Sequence, residues 1–501
     1  MKISPRVLEP KQYSSEEFRV YGPPGTGKTT WLVNHAGEMA DTYGIDQVSV
    51  CSLTKSAVSE VSGRDLTVAD DNVSTLHARC KRALQAPAPA ETKVSDFLKV
   101  YPHYLSCFPQ SVSRVKADED DSSDQPLSER LLSGNGTIYD YCQIFRQQMV
   151  DPIQWAPPIR EFFFDWNNWC QETNRMDFTG WLEAALELRP LPSQQVVFVD
   201  EAQDHTPLQL EVLRRWNAKK LILIGDDDQN LYEWAGAIPR HFFNPPLAAD
   251  HESVLAQSYR VPKAVHRVAL NWICQASSRK EKIYHPRDEE GSCSAIRYNL
   301  DAVLDERLPE QLEDQIYNKK QTVMFLTSCG YMLDNLIALL KAKRIPFYNP
   351  YRRSNAVWNP LQAAGTKVWS FIVPKLQNRL WTGNEASLWV QIMRSEAVFN
   401  PGRVKDRFLD ICQENFDDVL DKNIVSSYIR PKVLDAAFAG DTSFMKNNKR
   451  MTPGSWDYVF DIFDKPRDLW TPRVIVGTIH SVKAAKPTMF TCFRIYRRQV
   501  S

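Results

Sequence analysis

The sequence predicts an α/β chain built on two parallel sheets, each interrupted by a mostly helical insertion. Three features of the 501 residues predict it. Short apolar runs alternate with helical patterns from residue 18, the alternation starts again near residue 322, and each series gives way to a long helical stretch before a further apolar strand. Strands alternating with helices are what a parallel sheet with crossover helices requires.

Taken in order, Phe18–Tyr21 reads as a strand, with a helix from Thr29, a strand at Gln47–Ser52 and a helix from Lys55. From about 85 to 190 the pattern is helical and carries Trp155, Phe162, Phe163, Phe164, Trp166 and Trp169. The helical spacing of 162, 166 and 169 favours core packing over a base-stacking platform. Strands resume at Val196–Val199 and Leu221–Ile224. A second series opens with Thr322–Thr327, the helix Leu333–Lys341 and the strand-like Ile345–Tyr348. Residues 351–470 are helical and tryptophan-rich, and Arg473–Thr478 restores a buried strand. The expected domains are therefore 1–84 and 191–260 around the insertion 85–190, and 261–350 and 471–501 around the insertion 351–470. Asp118–Gln125 is too densely charged to pack and reads as a solvated loop. The basic run Lys341, Lys343, Arg344, Arg352 and Arg353 fits either a nucleic-acid path or a solvated helix end.

At about 150 residues per domain this length allows two to four domains. With 43% hydrophobic and 24% charged residues the chain can bury real cores. A mean hydropathy of −0.41, no apolar run of bilayer length and no apolar stretch after the first charges lead to the expectation of a cytoplasmic protein without a membrane partner. Lys and Arg number 61 and so do Asp and Glu, so no global field gathers a polyanion and any nucleic acid must be held in a local groove. The ten cysteines form no Cys-x-x-Cys pair, which disfavours a zinc site or a disulfide framework and leaves reduced, mostly structural thiols.

Residues 22–29 read Gly22-Pro23-Pro24-Gly25-Thr26-Gly27-Lys28-Thr29, followed by Thr30, between a strand and a helix. This is the phosphate-binding loop in the context that gives the pattern its meaning. Its glycines let the backbone wrap so that N–H groups and the helix N-terminus face a triphosphate. Lys28 would reach the outer phosphates and the Thr29 hydroxyl would bind Mg²⁺. The apolar strand Val196–Val199 ends in Asp200 and Glu201. Phosphoryl transfer uses one acid to hold the metal and another to orient and deprotonate the attacking water, so Asp200 is the expected metal ligand and Glu201 the expected general base.

Asp200-Glu201-Ala202-Gln203-Asp204 and the run Gly225-Asp226-Asp227-Asp228-Gln229-Asn230-Leu231-Tyr232-Glu233-Trp234-Ala235-Gly236-Ala237 resemble the superfamily 1 DNA helicases of the UvrD/Rep type. The resemblance extends to Thr54-Lys55-Ser56-Ala57 with Glu60, to Thr75-Leu76-His77, to Gln257-Ser258-Tyr259-Arg260 and to Thr478-Ile479-His480-Ser481-Val482-Lys483. It implies two RecA-like domains of the P-loop NTPase class, with ATP in the cleft between them and single-stranded DNA across their tops. It also implies an ATP-dependent helicase or single-strand translocase moving 3′ to 5′, with ATP and Mg²⁺ as cofactors and single-stranded or partly duplex DNA as partner. Gln229 would sense the γ-phosphate, Arg260 would reach the same phosphate and Tyr259 would stack on the adenine. Tyr232 and Trp234 would stack on bases, a sequence-tolerant contact worth about 1 to 3 kcal/mol per base. Thr54, Thr75, His77 and His480 would touch the DNA backbone.

Three departures from the family pattern bear on activity. Gln12 is the nearest candidate for an adenine-reading glutamine and lies unexpectedly close to the phosphate loop. Ala235 stands where the family has an arginine. After Lys483 the family order of Gly, a small or apolar residue and Glu is replaced by Ala484-Ala485-Lys486-Pro487-Thr488, with no acidic residue from Leu469 onward and no later Thr-Arg motif. Deleting a single nucleotide from a coding string for Lys-Gly-Gly-Glu-Ala-Asp-Asn-Val-Tyr-Leu yields Lys-Ala-Ala-Lys-Pro-Thr-Met-Phe-Thr-Cys, the order found from Lys483 to Cys492. The expectation is a frame change, a second sheet domain incomplete at its C-terminal end and a strand interrupted by Pro487. Two alternatives accompany the motor reading: a truncated ATP- and DNA-binding relative without coupled hydrolysis, and a nucleotide-driven protein remodeller, which the aromatic stretch Gln229–Trp234 disfavours.

Overall fold

The computed structural model describes residues 15–53, 67–109, 136–188, 194–216, 218–276, 279–293, 322–352, 357–448, 457–463, 472–482 and 489–492. Gln12, Thr54, the expected helix from Lys55 and the acidic stretch Asp118–Gln125 lie outside these residues. The chain divides into two compact units, Met1–Ala295 and Ile296–Ser501.

The first unit is a parallel sheet of β1 (Glu16–Tyr21), β2 (Val48–Ser52), β3 (Val73–Thr75), β4 (Val196–Val199), β5 (Lys220–Gly225) and β6 (Glu252–Val254), in the order β3-β2-β4-β5-β1-β6. Among the described residues its helices of seven residues or more are α1 (Lys28–Tyr43), α2 (Leu76–Leu84), α3 (Val94–Val100), α4 (Ile138–Gln147), α5 (Pro157–Glu172), α6 (Phe178–Leu188), α7 (Pro207–Arg215) and α8 (Lys263–Ile273). Strands buried on both faces read as continuous apolar runs, which is why β4 and β5 stand out in the sequence. Their alternation sorts side chains into two layers. Val196, Phe198, Ile222 and Ile224 meet Leu32, Ala36 and Ala40 of α1 on one face. Val197, Val199, Leu221 and Leu223 meet Leu76, Trp181, Leu182, Leu210 and Leu213 from α2, α6 and α7 on the other.

Helices α3, α4 and α5 close around a separate aromatic core. Phe162, Phe163, Trp166 and Trp169 are buried there, as their helical spacing predicts, while Phe164 is half exposed. Phe97 stands edge-on to Trp166 and Trp169 at centroid distances of 5.1 and 5.6 Å. Between this core and the sheet layer runs a polar seam. Arg146 pairs with Asp177 and Glu183, Trp166 Nε1 donates to Asp177 at 2.9 Å, and Glu91 Oε1 accepts from Tyr139 O–H at 2.9 Å and Phe178 N–H at 3.1 Å.

Burial, then the neighbouring Asp177 charge, pushes the Glu91 carboxyl up from an ordinary 4.5 to about 8. The folded state thus holds a proton that the unfolded chain releases, so Glu91's contribution to stability is fully present below about pH 4.5 and is lost as pH rises toward about 8. Glu91→Gln is expected to melt less differently between pH 5 and pH 8 than the parent, with its relative gain largest at pH 8. Thermal melts at both values check this, and equal slopes for the two proteins would refute it.

The second unit holds β7 (Val323–Thr327), β8 (Phe347–Tyr348), β9 (Val474–Thr478) and β10 (Met489–Cys492), all parallel in the order β10-β7-β9-β8. Helix α9 (Asp334–Ala342) follows β7 as the sequence predicts. Here the helical insertion and the sheet share one core: Phe325, Phe347 and Val474 belong to the same apolar cluster as Trp381, Trp389, Phe408 and Phe460. Pro487, the expected site of interruption, lies outside the described residues; β10 follows in the chain and pairs with β7.

Residues 261–293, which the sequence reading assigns to the second sheet domain, fall in the first unit. Cys51, Cys80, Cys107, Cys142, Cys170, Cys274, Cys293, Cys329 and Cys412 are free thiols, and among the described residues no helix is long and apolar enough to cross a membrane.

Candidate active site

Strands β4, β5 and β1 are neighbours in the sheet, so the loops leaving their C-terminal ends lie side by side, where open α/β sheets form their ligand crevices. The loop after β1 is anchored at its start by Gly22 N–H donating to Gly225 O at 2.9 Å. Inside it, Thr26 Oγ1 donates to Pro23 O at 2.8 Å. Gly25 and Gly27 have φ of +78° and +83°, a left-handed backbone that glycine adopts without strain. A Cβ on Gly25 would meet Arg260 Cβ at 2.5 Å, whereas one on Gly27 would meet nothing within 4 Å. The loop is therefore packed on one side and open on the other.

Helix α1 starts on the open side with no side-chain cap and no acidic residue in its first turn. Its first N–H groups have no intrahelical acceptor, so the helix end is rich in donors and carries a partial positive charge. Lys28 Nζ donates to Gly22 O at 2.8 Å and lies over the loop. These residues fit a polyphosphate. Among the described residues no three His, Cys, Asp or Glu form a metal cage. Mg²⁺ commonly uses one or two protein oxygens plus waters and phosphates, and a hydroxyl at Thr29 and a carboxylate at Asp200 are donors of that kind.

Asp200 is 5% exposed, and its Oδ1 accepts Glu201 N–H at 3.0 Å. Glu201 sits in the left-handed region at φ +51°, a conformation that costs a side-chain-bearing residue about 1 kcal/mol or more. Gln203, 1% exposed, joins two loops: its Nε2 donates to Glu201 Oε2 at 2.6 Å and its Oε1 accepts Asp226 N–H at 2.9 Å. A Cβ on Gly225 would stand 2.3 Å from Gln203 Oε1, so the glycine is what lets this glutamine in. The line continues through Gln229 Nε2, which donates to Asp226 Oδ2 at 2.6 Å. Asn230 donates to Gln203 O and accepts Tyr232 N–H at 3.0 Å, and Asp204 accepts Leu231 N–H at 3.3 Å. Glu201 is thus connected by hydrogen bonds to the loop that carries Tyr232 and Trp234.

The phosphate loop is held from the far side by two extended segments. Tyr259 N–H donates to Gly25 O at 2.9 Å, and buried Ser258 Oγ donates to Pro24 O at 2.8 Å. Tyr284 O–H donates to the same Pro24 carbonyl at 2.8 Å. Ser258 N–H in turn donates to His285 O, and His285 N–H to Ala256 O. This puts Tyr259 and Arg260 directly behind the loop with both side chains exposed. Tyr284→Phe leaves the Pro24 carbonyl one donor and is expected to cost about 1 kcal/mol of stability. Urea denaturation checks it, and an unchanged midpoint would refute the role given to this hydroxyl.

Of the residues expected at DNA, Tyr232 and Trp234 lie together with ring centroids 5.6 Å apart, both partly exposed. His77 is partly exposed, edge-on to Phe178 at 6.4 Å. Thr75 is 9% exposed, and its hydroxyl caps α2 by accepting Ala78 N–H at 3.3 Å. His480 lies in the turn Ile479–Val482 of the second unit. Sequence reasoning assigned no role to Gln203, Ser258 or Tyr284. The first two stand inside recognised motifs, whereas Tyr284 carries no local signal.

Residues 5–245 match the UvrD/REP helicase N-terminal domain. A "Probable DNA helicase II homolog" of Mycoplasma genitalium is 25% identical over 285 residues, covering 50% of this chain and 39% of the relative. Another of that name, from Mycoplasma pneumoniae, is 22% identical over 320 residues, covering 58% and 43%. The "ATP-dependent DNA helicase PcrA" of Bacillus subtilis is 32% identical over 101 residues, covering 19% and 14%. The match thus spans less than half the length of each of these relatives.

Proposed function

We propose that this chain, which belongs to the UvrD/REP helicase family through residues 5–245, is an ATP-dependent DNA helicase or single-strand translocase that moves 3′ to 5′. The observation that carries the reading is the unbroken hydrogen-bonded line from Glu201 through Gln203 and Asp226 to Gln229, with Asn230 extending it to Tyr232. A hydrolytic carboxylate and a base-stacking aromatic pair joined in this way can exchange position as one body, which a motor needs.

In this reading the N–H groups of residues 25–30 and Lys28 bind the phosphates, Tyr259 stacks on the adenine and Arg260 approaches the γ-phosphate. Thr29 and Asp200 would hold Mg²⁺, which when bound neutralises phosphate charge and draws electrons from the phosphorus. Glu201 orients the attacking water and takes its proton, with its carboxylate aimed by Gln203. Gln229 reports the γ-phosphate to the aromatic loop. Tyr232 and Trp234 hold bases, while Thr54, Thr75, His77 and His480 serve the DNA backbone. The RecA-like pairing of the two sheet domains and a cytoplasmic, DNA-bound setting belong to the same proposal.

Phosphate release measured with and without single-stranded DNA, alongside unwinding of a duplex with a 3′ tail, tests it. DNA-stimulated hydrolysis with unwinding is the expected result. Nucleotide binding without DNA stimulation would instead support the second reading, a non-motor ATP- and DNA-binding relative. The departure from family order after Lys483 favours that reading, and sequencing the gene across that codon decides whether a frame change underlies it.

A further inference from the structure

Lys282 lies outside every motif singled out in the sequence, yet its side chain is 1% exposed. Its Nζ stands 2.8 Å from Asp226 Oδ1 and 3.0 Å from Asp228 Oδ2, and it also contacts Asp227 Oδ1. Burial alone would lower an ammonium pKa, but the carboxylates outweigh it and raise Lys282 above its ordinary value. Arg279 pairs bidentately with Asp228 at 2.9 and 2.6 Å. Asp226 is wholly buried, and its carboxylate is shared. Oδ1 takes Lys282 and the Asp228 N–H, while Oδ2 takes the Gln229 amide at 2.6 Å.

The lysine reaches this point because residues 280–285 run extended, with side chains alternating in direction. Glu281, Ile283 and His285 are exposed, while Lys280, Lys282 and Tyr284 turn inward to Glu252, Asp226 and Pro24. One short segment therefore touches the start of β6 and the loops that leave β5 and β1 in turn.

We propose that Lys282 is a positioning residue: by neutralising and orienting the Asp226 carboxylate it sets the Gln229 amide where it can tell a nucleoside triphosphate from a diphosphate. The inference rests on reading Gln229 as the γ-phosphate sensor. Without the ammonium, Asp226, Asp227 and Asp228 crowd around one buried point with too little positive charge. A buried carboxylate stripped of its partner cannot stay where it is at low cost. Gln229 then loses its acceptor, although the loop around the α- and β-phosphates is untouched.

The test is equilibrium binding of ADP and of a non-hydrolysable ATP analogue, both with Mg²⁺, to the full chain. The parent should prefer the triphosphate. Lys282→Met should hold ADP within about twofold of the parent and lose about tenfold of the triphosphate preference, the scale of one hydrogen bond. Gln229→Ala should lose as much, and the double variant no more, because both act through one contact. Lys282→Gln keeps a donor without the charge and supplies the same comparison if the methionine variant does not fold; it should lose at least about threefold. An unchanged preference, equal weakening of both nucleotides, or additive losses in the double variant would overturn the inference while leaving the proposed function standing. A parent chain that binds neither nucleotide would overturn both.

Discussion

Glu201→Gln is expected to lower DNA-stimulated ATP turnover about 10³-fold, within the range a general base contributes, while nucleotide affinity stays within about threefold. The substitution is close to isosteric, and the contact with Gln203 survives it. The Gln203 amide donates to Glu201 Oε2 at 2.6 Å, and a glutamine at 201 still offers a carbonyl there. Asp226 therefore keeps its link through Gln203 Oε1, and the loop from Gln229 to Trp234 keeps its place. What is lost is the ability to take a proton from water. Phosphate release paired with nucleotide binding separates the two, and turnover within tenfold of the parent would refute Glu201 as the base. Collapse of both readouts would mean that the carboxylate's charge holds the loop and that the base assignment lacks its support.

Arg146→Met carries the largest expected loss of stability, about 3 to 5 kcal/mol, the usual cost of removing one partner of a buried ion pair. Methionine keeps most of the aliphatic volume, so the loss reports charge rather than a cavity. The Arg146 side chain is 5% exposed and serves two acids, Asp177 at 3.0 Å through Nη2 and Glu183 at 2.7 Å. Arg146 holds Asp177 below its ordinary carboxylate range despite complete burial. Without Arg146 that carboxylate retains Trp166 Nε1 at 2.9 Å and Gly180 N–H at 2.6 Å but no countercharge. Asp177→Asn in the same chain should recover about half of the loss, because it removes the stranded charge and keeps an acceptor. Urea denaturation measures both, and a loss below about 1 kcal/mol for Arg146→Met would show that water already reaches the pair.

The parts of this molecule that could be read in the sequence are those whose physics is local. Val196–Val199 is an apolar run of the length a doubly buried strand needs, and the structure places β4 at those residues. The phosphate loop is legible because glycine spacing and helix start must coincide within a few residues. The inward-facing lysines of residues 280–285 were invisible for the opposite reason. Strand recognition looks for apolar residues at every second position, and here the inward positions hold Lys280, Lys282 and Tyr284 while the exposed ones include Ile283. The hydrophobic signal points outward because the inward partners are Glu252, Asp226 and Pro24. The seam around Glu91 is hidden by distance, since Glu91 and Phe178 meet across 87 positions of chain. Thr75 shows a different limit: motif register says nothing of the cap its hydroxyl makes on the first turn of α2.

The two helical insertions differ in a way that governs how the chain comes apart. In the second unit, Phe347 of β8 and Trp381 of the insertion are members of one apolar cluster, so neither can open without wetting the other. In the first unit, Phe97, Phe162 and Trp166 form a cluster of their own, and the junction to the sheet layer runs through the polar group Arg146, Asp177, Glu91 and Tyr139 beside Met149 and Phe178. Apolar clusters set cooperativity, and polar junctions transmit it less strongly. Hydrogen exchange should therefore resolve α3–α5 as a foldon that opens below the global free energy, whereas the second unit exchanges as a single block. The α3–α5 part of the first insertion is a room that opens by itself, while α6 stays with the sheet; the second insertion is a wall of the house.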